Sequence, residues 1–322
     1  MWVIDTDYSL DDQLAICYLI NKINIIAITV VGANTNQKPS VIKRKIEEDL
    51  VKRYNKPEIK VYAGADRPYI NYTVELKDDP IFDPYNLKPT DYSSCIESET
   101  KESGSNSNGN IAERLSNIAA VKITELVRIY EKRLNILTLG PLTNLSLAVL
   151  IDSTIRDRFI NLFICGGSFN NLGNSGTAAE YNFRVDPVAS KNVIFYYKNV
   201  TLVPLELEEE FLANIRPDYF NNCKSEYSIL SDLQTVLASE SEETRSRHSL
   251  LGFFAAVIVT NLNVIKLKVT RPADVDIIGR YTRGALAIEK YEYLKSGKFN
   301  DVTILEELDL DSFKEVINSI VF

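Results

Sequence analysis

Apolar and polar positions follow one another along this chain in blocks that read as strand, turn and helix in succession. The run Trp2, Val3, Ile4 ends at Asp5-Thr6-Asp7. Tyr8-Ser9 make a bend, and Asp11 and Asp12 open an amphipathic helix with Leu10, Leu14, Cys17 and Tyr18 on one face. Residues 24–31 (NIIAITVV) are a continuous β-branched apolar run, the look of a parallel strand buried on both faces. It ends at Gly32-Ala33-Asn34. Pro39-Ser40 then start a helix to about residue 53, with Val41, Ile42, Ile46 and Leu50 inward, and residues 59–62 form a third strand closed by Ala63-Gly64. This rhythm with short turns predicts an α/β fold: an open, mostly parallel, doubly wound sheet flanked by helices.

Residues 68–110 break the rhythm. Prolines and tyrosines lead into SSCIESETKESGSNSNGN, polar and low in complexity, which predicts a flexible insertion at 93–110, with a lid as its functional alternative. Order resumes with a helix over 111–131, a strand over 134–139, the turn Gly140-Pro141-Leu142-Thr143-Asn144 and a helix over 145–150. A strand over 161–165 ends at Gly166-Gly167. The Gly-rich stretch 170–186 carries Asn174, Glu180 and Asn182 and reads as backbone turns. Pro187 begins a helix to about Phe195, residues 199–205 are another strand, and acidic helices follow. Arg247-His248-Ser249 then open an apolar helix over 250–261. One domain over residues 1–322 is expected.

Chemistry concentrates where the first strand meets the first helix. A helix amino end favours one or two acids through its free N–H groups. It does not account for Asp5, Asp7, Asp11 and Asp12 together. Like charges a few ångströms apart repel by about 4 kcal/mol per pair at an effective dielectric of ~20. Either some of these groups keep a proton or a cation sits among them, and oxygen-only ligands point to Ca²⁺ or Mg²⁺ rather than zinc. In open α/β sheets ligands bind beyond the carboxyl ends of the strands, where Asp5, Asp7 and Asn34 all fall. Amides and a carboxylate such as Asn174, Asn182 and Glu180 are the groups that pair with vicinal hydroxyls.

Bulk composition narrows the partners. A net charge of −8 argues against a nucleic-acid partner and suits a neutral small molecule. No apolar run reaches the ~20 residues needed to span a bilayer. The first strand begins at Trp2, so no signal peptide is visible, although a leader removed from a longer precursor is compatible with that. Cys17, Cys95, Cys165 and Cys223 are scattered with no CxxC pair, which disfavours zinc; Cys17 and Cys165 read as buried free thiols. Sequons at Asn71 and Asn199 matter only in a secretory compartment. A reducing, cytoplasmic setting is expected.

Five ordered segments resemble the inosine–uridine-preferring nucleoside hydrolase family: Asp5-Thr6-Asp7-Tyr8-Ser9-Leu10-Asp11-Asp12, VVGAN at 30–34, VYAGADRP at 61–68, LGPLTNLSLA at 139–148, and ICGG…GNSGTAAEYNFRVDP at 164–187. YTRG at 281–284 resembles a late family motif. The resemblance implies hydrolysis of the N-glycosidic bond of purine or pyrimidine ribonucleosides with bound Ca²⁺, a place in nucleoside catabolism and purine salvage, and a homodimer or homotetramer. It implies that Asp7, Asp12 and the Leu139 carbonyl ligate calcium, with Asp5 orienting the cluster. Asp7 then takes a proton from a calcium-bound water, and Asp11, Asn34, Asn174, Glu180 and Asn182 hold the ribose. His248, the one histidine, falls where the family protonates or orients the departing base. The family has an Asp beside that histidine. This chain has Ser249, or Gly252 if the downstream helix sets the register, so one charged calcium ligand is missing and weaker binding is implied. A catalytically impaired homologue that binds nucleosides, ribose or a protein is the alternative. Asp5-Thr6-Asp7 also imitates the nucleophile of haloacid-dehalogenase-like phosphatases, against which Tyr8-Ser9 and the close Asp11-Asp12 argue.

Overall fold

A computed structural model describes residues 1–32, 37–69, 118–170, 172–214, 249–289 and 299–320. The parallel strands β1 (Trp2–Thr6), β2 (Ile25–Val30), β3 (Lys60–Ala63), β4 (Asn135–Thr138), β5 (Asn161–Cys165) and β6 (Val200–Val203) form where the apolar β-branched runs lie. Between them come α1 (Leu10–Leu19), α2 (Pro39–Ile46), α3 (Ala119–Ile129), α4 (Thr143–Ile151), α5 (Tyr181–Val185) and α6 (Pro187–Tyr196). After β6 follow α7 (Leu205–Ala213) and α8 (Leu251–Thr260). The chain closes with β7 (Ile265–Val275), β8 (Leu286–Ile288), β9 (Asn300–Leu308) and α9 (Leu310–Asn318).

The nine strands make one open sheet in the order β3-β2-β1-β4-β5-β6-β9-β7-β8. Only β7 runs antiparallel to its neighbours β8 and β9. The open, mostly parallel sheet expected from the sequence is therefore present. Strand order reverses between β1 and β4, so the carboxyl ends of these two strands frame the crevice in which such folds bind ligands. Two apolar cores flank the sheet. One is built from α1, α2, α7, α8 and α9, the other from α3, α4 and α6. On the first side Phe211, Phe254 and Phe313 stack edge-to-face, with centroids 5.0, 5.2 and 5.3 Å apart, and lock α7, α8 and α9 together.

Several local expectations change. α1 is not a helix with one apolar face. Asp12, Leu14, Ala15, Ile16, Tyr18 and Leu19 are all buried because the sheet lies under the helix and α8 over it. The outward stripe is Leu10, Gln13 and Cys17, so Cys17 is half-buried rather than buried; Cys165 is buried, and both thiols are free. The helix from Pro39 ends its α turns at Ile46 and continues as a π-helical turn, Glu47–Lys52. The strand expected over 199–205 stops at Val203, and Leu205 already belongs to α7. The stretch 170–186 is not turns alone, since it contains α5. The insertion at 93–110 and the start of the helix expected from 111 lie outside the described residues. No helix among the described residues is long and apolar enough to cross a membrane.

Candidate active site

At the end of β1 the register sets Asp5 beside Thr29 of β2 and Thr138 of β4, a polar layer across three otherwise apolar strands. Asp5 is fully buried. Its Oδ1 accepts from Thr29 Oγ1 (2.5 Å) and Asn144 Nδ2 (2.8 Å), while its Oδ2 is buried without a hydrogen-bond partner among the described residues. Burial outweighs those two bonds and pushes Asp5 up to about 7. Tyr8 then turns the chain from strand to helix in the left-handed region (φ 61°), an uncommon conformation for a side chain of this size. Its N–H donates to Thr6 Oγ1 (2.9 Å) and Asp12 Oδ2 (3.1 Å), and Thr6 Oγ1 donates to Asp12 Oδ2 (2.5 Å).

The turn brings Asp7, Asp11 and Asp12 together. The Asp7 and Asp12 carboxyls are neighbours in this buried cluster. Burial, then the neighbouring Asp7 and Asp11 charges, lift Asp12 well above the carboxylate range; burial lifts Asp7 to about 6. The Ser9 N–H donates to Asp7 Oδ1 (3.2 Å) and the Ser9 hydroxyl to Asp11 Oδ1 (2.6 Å). Asp11 Oδ2 accepts from the Gly252 N–H at the start of α8 (2.9 Å).

Around this cluster the predicted binding residues take defined places. Glu180 is the N-cap of α5: Oε1 accepts from the Asn182 N–H (2.9 Å), and Oε2 from the N–H groups of Gly167 (3.0 Å) and Phe183 (3.3 Å). Burial still pushes it up to about 7, with the Asp7 charge contributing least. Asn182 Nδ2 donates to the carbonyls of Leu139 (2.7 Å) and Cys165 (3.1 Å), joining the ends of β4 and β5. The Leu139 carbonyl keeps a second lone pair. Asn174 accepts from the Tyr181 N–H (2.9 Å), and the Thr177 hydroxyl bonds the Tyr281 carbonyl, so the YTRG motif braces this loop. Asn34 and His248 lie outside the described residues.

The sequence reading missed Asn144 and Thr29. Asn144 clamps three strand ends: its amide donates to Asp5 Oδ1 and to the Val30 carbonyl (3.1 Å) and accepts from the Ala65 N–H (2.9 Å). Gly64 is required beside it, because a Cβ there would overlap the Asn144 amide. Thr29 had a signal, as the one hydroxyl inside an apolar run. Of the two positions matched to the family's Asp, Gly252 faces the cluster: a Cβ on it would meet Asp11 Oδ2 and Asp12 Oδ1 at 2.8 Å. The Ser249 hydroxyl turns instead to Glu208.

A family model described as inosine-uridine preferring nucleoside hydrolase matches residues 2–315. The chain belongs to this family. Among nucleoside hydrolases of known sequence, Uridine nucleosidase 1 of Arabidopsis thaliana is 28% identical over 72% of this chain and 64% of its own length. The inosine-uridine preferring nucleoside hydrolase of Leishmania major is 27% identical over 66% of this chain and 62% of its own. The chain thus spans just under two thirds of the length of these curated relatives. A solved structure, a purine-preferring ribonucleoside hydrolase from Gardnerella vaginalis, shares the fold, with a TM-score of 0.70 at 20% identity over 98% of this chain and 96% of that one.

The donor set at this nucleoside hydrolase cluster is oxygen only, which suits a hard cation. The orphaned Asp5 Oδ2 and the crowding of buried Asp7 and Asp12 mark a site with more carboxylate than its own donors satisfy. Among the described residues no three acidic, His or Cys side chains converge into a ready metal cage. Two carboxylates and a carbonyl are an incomplete shell, in keeping with Gly252. Because Asn144 holds Asp5 in place, Asn144→Leu is expected to destabilise the protein by about 3 kcal/mol in urea unfolding, since it unpairs the Val30 carbonyl and the Ala65 N–H and leaves Asp5 with Thr29 as its remaining donor.

Proposed function

We propose that this chain is a calcium-dependent ribonucleoside hydrolase that releases free base and ribose from purine or pyrimidine ribonucleosides. The observation that carries the reading is the buried Asp7–Asp12 pair at the strand-order reversal, two carboxyls that cannot both ionise unless positive charge joins them. Asp7, Asp12 and the Leu139 carbonyl are the groups that would hold the cation. When bound, it supplies charge neutralisation, a more acidic water and a grip on the ribose hydroxyls.

Asp7, with one oxygen fixed by the Ser9 N–H, takes the proton of the attacking water. The water oxygen bonds to the anomeric carbon, and the C–N bond pair leaves with the base. Positive charge develops on the ribose ring, next to Asp7, Asp11 and Glu180. Asp11, Asn34, Asn174, Glu180 and Asn182 bind the sugar hydroxyls, and His248 gives a proton to the departing base. The same reading takes the chain to be a homodimer or homotetramer working in the cytoplasm. The test is ribose release from inosine, guanosine, uridine and cytidine in millimolar calcium and in chelator. Release from at least one nucleoside in calcium, and its loss in chelator, is expected; none from any of the four contradicts the reading.

Gly252 favours a second reading. With no carboxylate on α8 the chain is a binding module for nucleosides or ribose, a result marked by calorimetric nucleoside binding without ribose release.

A further inference from the structure

Glu208 is outside the residues the proposed reaction uses, yet it is a buried acid, 4% exposed, on α7. It reaches across to the start of α8. Oε2 accepts from the Ser249 hydroxyl (2.5 Å) and Oε1 from the Leu250 N–H (2.6 Å), and Ser249 Oγ accepts from the Leu251 N–H (3.1 Å). The next N–H along, that of Gly252, is the one that donates to Asp11. Burial pushes Glu208 up to about 8, with Asp11 among the smaller causes. Burial, and after it the charges of Glu180, Asp11, Asp12 and Glu208, push the Cys165 thiol up, so Glu208 shares the neighbourhood of the acid cluster.

Sinking a carboxyl this deep is unfavourable unless its bonds do something packing cannot. Leu251–Val259 of α8 are all buried, so apolar contacts already hold the body of that helix. They do not aim its first turn. A helix amino end leaves its first N–H groups without intrahelical partners, and here two go to Glu208 and Ser249 while a third goes to Asp11.

We propose that Glu208 is a positioning residue: by pinning Ser249 and Leu250 it aims the Gly252 N–H at Asp11 and so fixes the carboxylate that binds ribose. This rests on the reading above only in giving Asp11 a sugar contact. Glu208 touches no reacting atom and acts through α8.

The test compares Glu208→Ala and Glu208→Gln in the full chain, by steady-state kinetics on the best nucleoside and by amide exchange of residues 249–254 without substrate. Gln can still accept from the Leu250 N–H and donate to the Ser249 hydroxyl. Glu208→Ala is expected to raise KM at least about 10-fold with kcat within about 3-fold, whereas Glu208→Gln stays within about 3-fold on both. Exchange at 249–254 should quicken at least about 10-fold in the Ala variant and hold in the Gln variant. Three results would overturn the proposal: a kcat loss with unchanged KM, a Gln variant as impaired as Ala, or unchanged exchange in Ala. If Glu208→Ala does not fold, Ser249→Ala removes one arm and should raise KM at least about 5-fold, and a KM within about 3-fold there counts against the proposal equally. If the unaltered chain releases no ribose, the functional reading fails by itself, and exchange alone decides whether Glu208 holds Gly252.

Discussion

Asp7→Asn is expected to lower ribose release by at least about 10³-fold, roughly 4 kcal/mol of transition-state stabilisation, while the protein stays folded. The amide keeps the size of the carboxyl but cannot take a proton from water. Stability should hold or rise in chelator, because the substitution removes one of two neighbouring buried acids and gives Asp12 a neutral neighbour. Activity and melting temperature therefore move independently. A variant that loses both together would make Asp7 a structural residue. One that keeps its turnover would remove it from the reaction.

Stability without metal is expected to fall as pH rises. Burial raises Asp5 to about 7, Glu180 to about 7 and Glu208 to about 8, so each holds a proton in the folded protein that the unfolded chain, titrating near pH ~4, has already released. Where the folded state binds more protons than the unfolded, stability declines with pH. The contribution is complete below about pH 4 and is lost progressively up to about pH 8. In chelator the melting temperature should drop by about 5 °C or more between roughly pH 5 and pH 8. Saturating calcium should flatten that slope, since a cation stabilises the ionised cluster and binds only the folded site. A flat or rising profile in chelator would mean that these carboxyls are not held neutral.

The parallel half of the sheet is legible because its strands are buried on both faces and so are written as unbroken apolar runs, as in Ile25–Val30. β7 escapes the same reading for the opposite reason. Its residues are mostly half-buried or exposed, it contains Pro272, and its pairing with β9 is antiparallel, so no apolar run announces it. At the site, the acids of residues 5–12 stand out because their charges crowd in the sequence itself. Glu180 stands out in the sequence as a carboxylate in a Gly-rich stretch but not as a helix cap, because five residues of α5 are too few to show a period. Glu208 sits in LELEEEF, which reads as a solvated acidic face; its partners lie 41 and 42 residues further on, and only tertiary packing brings them to it. Asn144 is similar, joined to Asp5 across 139 residues.

Calcium titration by calorimetry at neutral pH, on the chelator-stripped protein and on Asp7→Asn, bears most directly on the proposal that a cation joins these acids. We predict saturable binding of calcium to the unaltered chain, with release of protons from the Asp7–Asp12 pair seen as a buffer-dependent heat, and at least about 10-fold weaker binding to Asp7→Asn. No binding to the unaltered chain, or equal binding to both, would contradict the account.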